Sequence, residues 1–180
     1  MDNSTLVARP AVDAARATKK VATLPDRAIV QIVCAPECCS DLRGRISASF
    51  GCDLPQKPSL VAGNGFEFAW TGPGRWMAIG DGAPETCMAQ LSTALADTAS
   101  RVDVSDAYAT FRLNGPDATG ALMKLVPIDL EPSAFPSSAV ALTHIAHVAV
   151  IIMKRGPGPV FDVLIPRSFA ATIVGWIEHA

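Results

Sequence analysis

From Ala28 to the C-terminus, short β-branched runs alternate with segments whose apolar residues recur at helical spacing. "AIVQIVC", Ala28 to Cys34, is β-branched and apolar and predicts a buried strand. Pro36 then stands at a first helical position with Glu37 complementing the positive helix end, and "PECCSDLRGRISASFG" closes at Gly51. "GFEFAW" alternates apolar and polar side chains up to Trp70, and "RWMAIG" resumes after "TGPG", which predicts a hairpin. "APETCMAQLSTALADT", Ala83 to Thr98, sets Met88, Leu91 and Leu95 at helical spacing, and "RVDVSD" follows as a strand.

Strand, helix, hairpin, helix, strand is the order of a ferredoxin-like unit, and the order then restarts. "YATFRLNGPDATGALMKLV" predicts a strand to Leu113 and a helix from Pro116-Asp117 with an apolar stripe through Leu122 and Val126. A shift of 80 lays Val33 on Leu113, Pro36 on Pro116 and Leu42 on Leu122; a shift of 85 lays Trp76 on Phe161 and Ile79 on Leu164. "AVALTHIAHVAVIIMK", a turn "RGPGP", the strand "VFDVLIP" and the helix "RSFAATIVGWIEHA" complete the second half, which lacks a closing strand. The expected fold is α+β: two ferredoxin-like repeats, about 27–106 and 107–180, joined in one mostly antiparallel sheet with packed helices. Residues 1–26, rich in alanine and small polar groups, are expected to form a flexible arm before this single domain.

Composition narrows the function classes. Apolar residues make up 49% of the 180 and charged residues 18%, which supports a folded core. Fifteen basic against seventeen acidic side chains give a net charge of -2, and no basic run neutralises several phosphates, which argues against nucleic acid. No apolar stretch approaches the roughly 20 residues that span a bilayer, and the N-terminal segment lacks the apolar centre of a secretory signal, so a cytoplasmic location is expected.

Candidate chemistry is sparse. Cys34, Cys38, Cys39, Cys52 and Cys87 form no CxxC pair, which weakens a zinc reading and favours reduced thiols. No dinucleotide fingerprint, phosphate loop or nucleophile elbow occurs, and both "GPG" segments fall in turns. His144 and His147 sit close together, yet on a continuous strand their odd separation sends them to opposite faces; His179 lies beside the C-terminus. Cys38 and Cys39 stand at a helix start, where the dipole favours thiolate, and carry a thiol-dependent enzyme as a third reading. Asp103, Asp106, Asp117, Asp129 and Glu131 supply carboxylates at strand ends, helix starts and loops. Trp70, Trp76 and Trp176 read as core or interface fillers.

Three stretches carry a resemblance: "WTGPGRWMAIGDG", the run from "VDVSDAYATFRLNGPDATGALMKLVPIDLEPSAFPSSAV" into "ALTHIAHVAVII", and "FDVLIPRSFAATIVGWIEHA". Together they resemble the gamma subunit of heterotetrameric sarcosine oxidase from about Ala28 to the end, with "PIDL", "AFP" and "RSFA…W" the most specific pieces. That family is related in turn to the folate-binding domain of glycine-cleavage aminomethyltransferases. The resemblance implies an oxidoreductase of alpha, beta, gamma and delta subunits that oxidatively demethylates sarcosine to glycine. The one-carbon unit leaves as formaldehyde or as 5,10-methylenetetrahydrofolate, and oxygen becomes hydrogen peroxide. It places FAD, FMN, NAD and tetrahydrofolate in the alpha and beta chains and zinc in delta. Aminomethyltransferases carry an acidic pair in a strand whose nearest counterpart here, "AHVAVII", has no carboxylate. No catalytic, cofactor-binding or metal residue is therefore expected in this chain, and its direct contact is expected to be alpha. The alternative is a free-standing folate-binding or one-carbon-transfer protein.

Overall fold

A computed structural model of the chain describes residues 21–24 and 27–180. After β1 (Val21–Thr23), the first half runs β2 (Ala28–Val33), α1 (Cys39–Phe50), β3 (Leu60–Gly63), β4 (Phe66–Gly72), β5 (Arg75–Gly80), α2 (Pro84–Leu95) and β6 (Ser100–Asp103). The second half runs β7 (Tyr108–Asn114), α3 (Pro116–Leu125), β8 (Val140–Ile145), β9 (Val148–Lys154), β10 (Val160–Pro166) and α4 (Ala170–His179).

Local chemistry sets the helix ends. A short 3-10 turn, Pro36–Cys38, leads into α1, and Gly51 ends it in the left-handed region at φ 68°, donating its N–H to the Ser47 carbonyl at 3.0 Å. Helices α2 and α3 both begin on proline, where the missing N–H costs nothing.

The strands divide into two five-stranded antiparallel sheets, in the orders β3-β4-β5-β2-β6 and β8-β9-β10-β7-β1. The sequence reading joined them in one sheet. The physical reason for two lies on the central strands, which are apolar on both faces. Ala28, Val30 and Ile32 pack against Leu42, Ile46 and Phe50 of α1 and Leu91 and Leu95 of α2. On the opposite face Ile29, Met77 and Ile79 meet Ile151, Met153 and Leu164 of the other sheet. One continuous sheet would leave that second face to water, so the halves stack as four layers: helices, sheet, sheet, helices. A lone antiparallel bridge, Ser59 to Ala139, links their edges.

The two strand orders correspond position by position, with β1 where β6 stands in the other sheet. The second half's missing closing strand is thus supplied from upstream. Val21–Thr23 fell within the arm of the sequence reading, but Val21 is 2% exposed and pairs with Leu113, Ala22 with Arg112 and Thr23 with Phe111. Residues 1–20 of that arm lie outside the described residues.

Two further details depart from the sequence pattern. Ile32 pairs with Trp76 as Leu113 pairs with Phe161, so the strands correspond at a shift of 81, while the helices keep 80. The connection into α3 is one residue shorter, and Val33, which a shift of 80 would bury beside Leu113, is 37% exposed. The run Ala139 to Lys154 is also two strands: Ala146, at φ 53°, and His147 turn β8 into β9.

Candidate functional site

The inter-sheet core gives way at one end to charge. Strand alternation aims Glu67 of β4 into the space that Ala69 fills two residues on, and Asp162 of β10 into the space that Leu164 fills. Asp162 has no exposed side-chain surface. Arg112 of β7 donates to it through Nε at 2.7 Å and Nη2 at 2.8 Å, a fork-to-carboxylate pair. Arg155, just after β9, gives Nε to the same carboxylate at 2.6 Å and turns Nη1 and Nη2 to Glu67 of the other sheet at 2.5 and 3.0 Å. Arg27 completes the chain, with Nη1 2.8 Å from Glu67 and Nε 2.7 Å from Asp81. Acid and base alternate: Asp81, Arg27, Glu67, Arg155, Asp162, Arg112.

All of these groups but the fully buried Asp162 border an open cleft of about 380 Å³, lined also by Leu24, Gly65 and Phe66. Burial alone would raise the Glu67 carboxyl, but hydrogen bonds and charge from Arg155 and Arg27 hold it below its ordinary range. Burial likewise works against the Arg155 cation, and Glu67 and Asp162 more than offset it; the bonds to Asp162 raise Arg112. Glu67 therefore stays ionised near neutrality and serves as an ion-pair acceptor, which is unlike a general base poised near pH 7.

The residues singled out from the sequence are not brought together here. His144 lies on β8 and His147 in the β8–β9 turn, so the continuous strand that separated them does not exist, yet both side chains are exposed. Among the described residues no group of three or more His, Cys, Asp or Glu converges on a metal position. His179 Nδ1 lies 2.6 Å from the Gly175 carbonyl of its own helix. Asp103 accepts from the Ser105 N–H and hydroxyl at 2.9 and 2.6 Å, and Asp129 accepts the Glu131 N–H at 2.9 Å, so both shape turns. Asp106 offers its backbone carbonyl to Arg167 Nε at 3.0 Å, and Asp117 stands in the first turn of α3. Glu131 borders a cavity of about 360 Å³ with Lys154, whose ammonium lies 4.4 Å from the Phe161 ring centre and donates to the Gly158 carbonyl; burial lowers its pKa. Cys38 and Cys39 are half-buried at the start of α1.

Trp76 fills the core at 3% exposure and donates Nε1 to the Pro55 carbonyl at 2.7 Å, Trp70 packs at the margin of the same cluster, and Trp176 is 41% exposed on α4. The sequence reading passed over all six members of the charged chain. The missed signal lies in "VFDVLIP", where a carboxylate inside a strand apolar on both faces requires a cationic partner.

A model described as the sarcosine oxidase gamma subunit family matches residues 40–180. The search of curated proteins found no significant match. Among solved structures, the fold is similar to a chain of heterotetrameric sarcosine oxidase from Corynebacterium sp. U-96 in complex with pyrrole 2-carboxylate. The TM-score is 0.77 and the identity 24%, over 93% of this chain and 87% of that one. It is also similar to the glycine cleavage system aminomethyltransferase T from Bartonella henselae, with a TM-score of 0.67 and 11% identity, over 87% of this chain but 44% of that longer one. At such identities the structures speak for the fold, and the matched residues, which run from the start of α1 to the C-terminus, carry the assignment. The chain belongs to the sarcosine oxidase gamma subunit family.

Proposed function

We propose that this chain is a non-catalytic, structural gamma subunit of a cytoplasmic heterotetrameric sarcosine oxidase, docked on its large alpha chain. The observation that carries this reading is the family match over residues 40–180. In support, the charged groups at the cleft are engaged with one another, and strand β9, the counterpart of the acid-bearing aminomethyltransferase strand, has no carboxylate. Phe169, just before α4, and Trp176, within it, are 46% and 41% exposed, and apolar surface of this kind suits a permanent partner. The FAD, FMN, NAD, tetrahydrofolate and zinc of the assembly belong to its other subunits on this reading. No described helix is long and apolar enough to cross a membrane. Co-expression with the alpha, beta and delta chains followed by size-exclusion chromatography tests the proposal; a chain that elutes alone beside its assembled partners overturns it.

The likeness to aminomethyltransferase T favours one second reading, a free-standing folate-binding or one-carbon-transfer protein. It requires the isolated chain to bind reduced folate. Calorimetry without heat at tetrahydrofolate concentrations of about a millimolar, which correspond to a binding free energy of about −4 kcal/mol, argues strongly against it.

A further inference from the structure

Three of the five cysteines gather where β2 hands over to α1. Cys34 and Cys39 are five positions apart in sequence, yet both thiols donate to one oxygen atom, the Ala35 carbonyl, at 3.2 and 3.4 Å. The same oxygen accepts the Cys38 N–H at 3.0 Å, because Pro36–Cys38 forms a tight 3-10 turn that folds the chain back on Ala35. The turn therefore holds the two sulfurs together.

The two thiols differ in access. Cys34 is 6% exposed and has a second contact, the Thr98 carbonyl at 3.4 Å, whereas Cys39 is half-buried at the start of α1. Burial, reinforced by hydrogen bonding with Cys39, pushes the Cys34 thiol up to about 12, so Cys34 is a protonated thiol at neutral pH. Cys38 stands beside the pair on a separate cavity of about 500 Å³ with Asp97, Ser100 and Arg101.

We propose that Cys34 and Cys39 are a peroxide-sensitive dithiol in which the more accessible Cys39 is oxidised first and Cys34 resolves it to a disulfide. The Cys39 sulfur, as thiolate, attacks one oxygen of hydrogen peroxide; an S–O bond forms, the O–O bond breaks, and the departing hydroxide takes up the proton that Cys39 released, giving water. Cys39 is then a sulfenic acid. Cys34 gives up its proton as it attacks: its sulfur, as thiolate, bonds to the Cys39 sulfur, the S–O bond breaks, and the departing hydroxide takes up that proton as a second water. Two thiols and one peroxide become one disulfide and two waters. The new bond removes the Cys34 S–H that donates to the Thr98 carbonyl, so the contact between the end of β2 and the α2–β6 turn loses its hydrogen bond. An oxidase assembly would supply the peroxide, so the source of oxidant rests on the proposed function while the reactivity of the pair does not.

The experiment adds hydrogen peroxide directly to the full chain, so its outcome is separate from that of the assembly test. Remaining thiols are alkylated in denaturant, and the fragment from Ala28 to Arg43, which holds Cys34, Cys38 and Cys39, is weighed after cleavage at arginine and lysine. The expected result is loss of two alkylated thiols and a mass lower by two hydrogens, in wild type and in Cys38→Ser, reversed by dithiothreitol and missing from Cys34→Ser and Cys39→Ser. Fragmentation of the wild-type peptide locates the bond without relying on any variant. A bond that persists in Cys34→Ser or Cys39→Ser, or oxidation to sulfinic acid with no bond, overturns the proposal. So does the same preference in urea, because the pairing would then come from spacing alone.

Discussion

Arg155 and Glu67 stand 88 positions apart and meet across the two sheets, with Nη1 and Nη2 of one on Oε1 and Oε2 of the other at 2.5 and 3.0 Å. The same guanidinium gives its Nε to Asp162, so one side chain ties together the polar end of a contact that is otherwise apolar. Glu67 and Asp162 are each paired with two arginines, and this mutual satisfaction lets the charges lie between the sheets.

Asp162 is the deepest of these groups and the most exposed to loss of charge. Asp162→Asn keeps the shape but leaves Arg112 and Arg155 without their shared carboxylate. Removing one partner of a buried pair costs about 3–5 kcal/mol. Water still reaches Arg112, whose side chain is 41% exposed, so the expected loss lies at the lower end. Urea unfolding checks it, and a midpoint equal to that of wild type contradicts the account.

Glu67 should make stability fall with acid. Its carboxyl is held below its ordinary value of 4.5 in the folded chain and returns to that value on unfolding. Below that value the unfolded state binds more protons, so stability rises with pH through the window beneath 4.5 and levels above it. Unfolding midpoints at a series of pH values should therefore drop on acidification, and Glu67→Gln should flatten that part of the profile. Parallel profiles for variant and wild type would contradict the pairing.

Strand β1 should protect β7. Removing residues 1–24 strips three paired positions from Phe111 to Leu113, together with the Leu24 N–H that reaches the Thr110 carbonyl at 3.0 Å. Hydrogen exchange in β7 should accelerate while β2, covered by β6, keeps its protection. Equal exchange in the two strands would mean that β1 contributes nothing to the sheet.

The two GPG turns are alike in letters and differ in space. Gly74 and Gly156 both hold positive φ, at 66° and 63°, so alanine is strained at either. At Gly74 a Cβ would also lie 2.6 Å from the Cys34 carbonyl oxygen, whereas nothing stands within 4 Å of one at Gly156. Gly156→Ala should cost about 1–2 kcal/mol and Gly74→Ala clearly more. Thermal unfolding of both variants decides, and equal shifts would contradict the crowding.

Trp176→Ser separates a docking role from a core role. Its ring is 41% exposed, so the isolated chain should lose little stability, while co-purification with the partner subunits should weaken. Undiminished assembly would move the interface elsewhere.

Periodicity made the helices legible because their punctuation is local: Pro36 and Gly51 bound the first, and Pro84 and Pro116 open the next two. Strand β3 was missed because "LVAG" is short and ends in glycine, and β1 was missed because three residues carry no period of their own. The β8–β9 turn was missed for a related reason: Ala146-His147 has neither the glycine nor the asparagine that usually marks positive φ. Between α3 and β8 the structure adds two anchors, Leu130 and Phe135, buried at 1% and 6%.

By itself the sequence determined the alternation of strands and helices, the repeated order of two α+β halves and the family resemblance, since each is written in local composition, spacing and turn residues. The tertiary structure alone decided that the halves stack as two sheets, that Val21–Thr23 completes the second, and that Asp81, Arg27, Glu67, Arg155, Asp162 and Arg112 form one charged chain. Apart from Arg155 and Asp162, seven positions from each other, those contacts join residues dozens of positions apart, and strand register, which one residue's shift inverts, fixes which of them face each other.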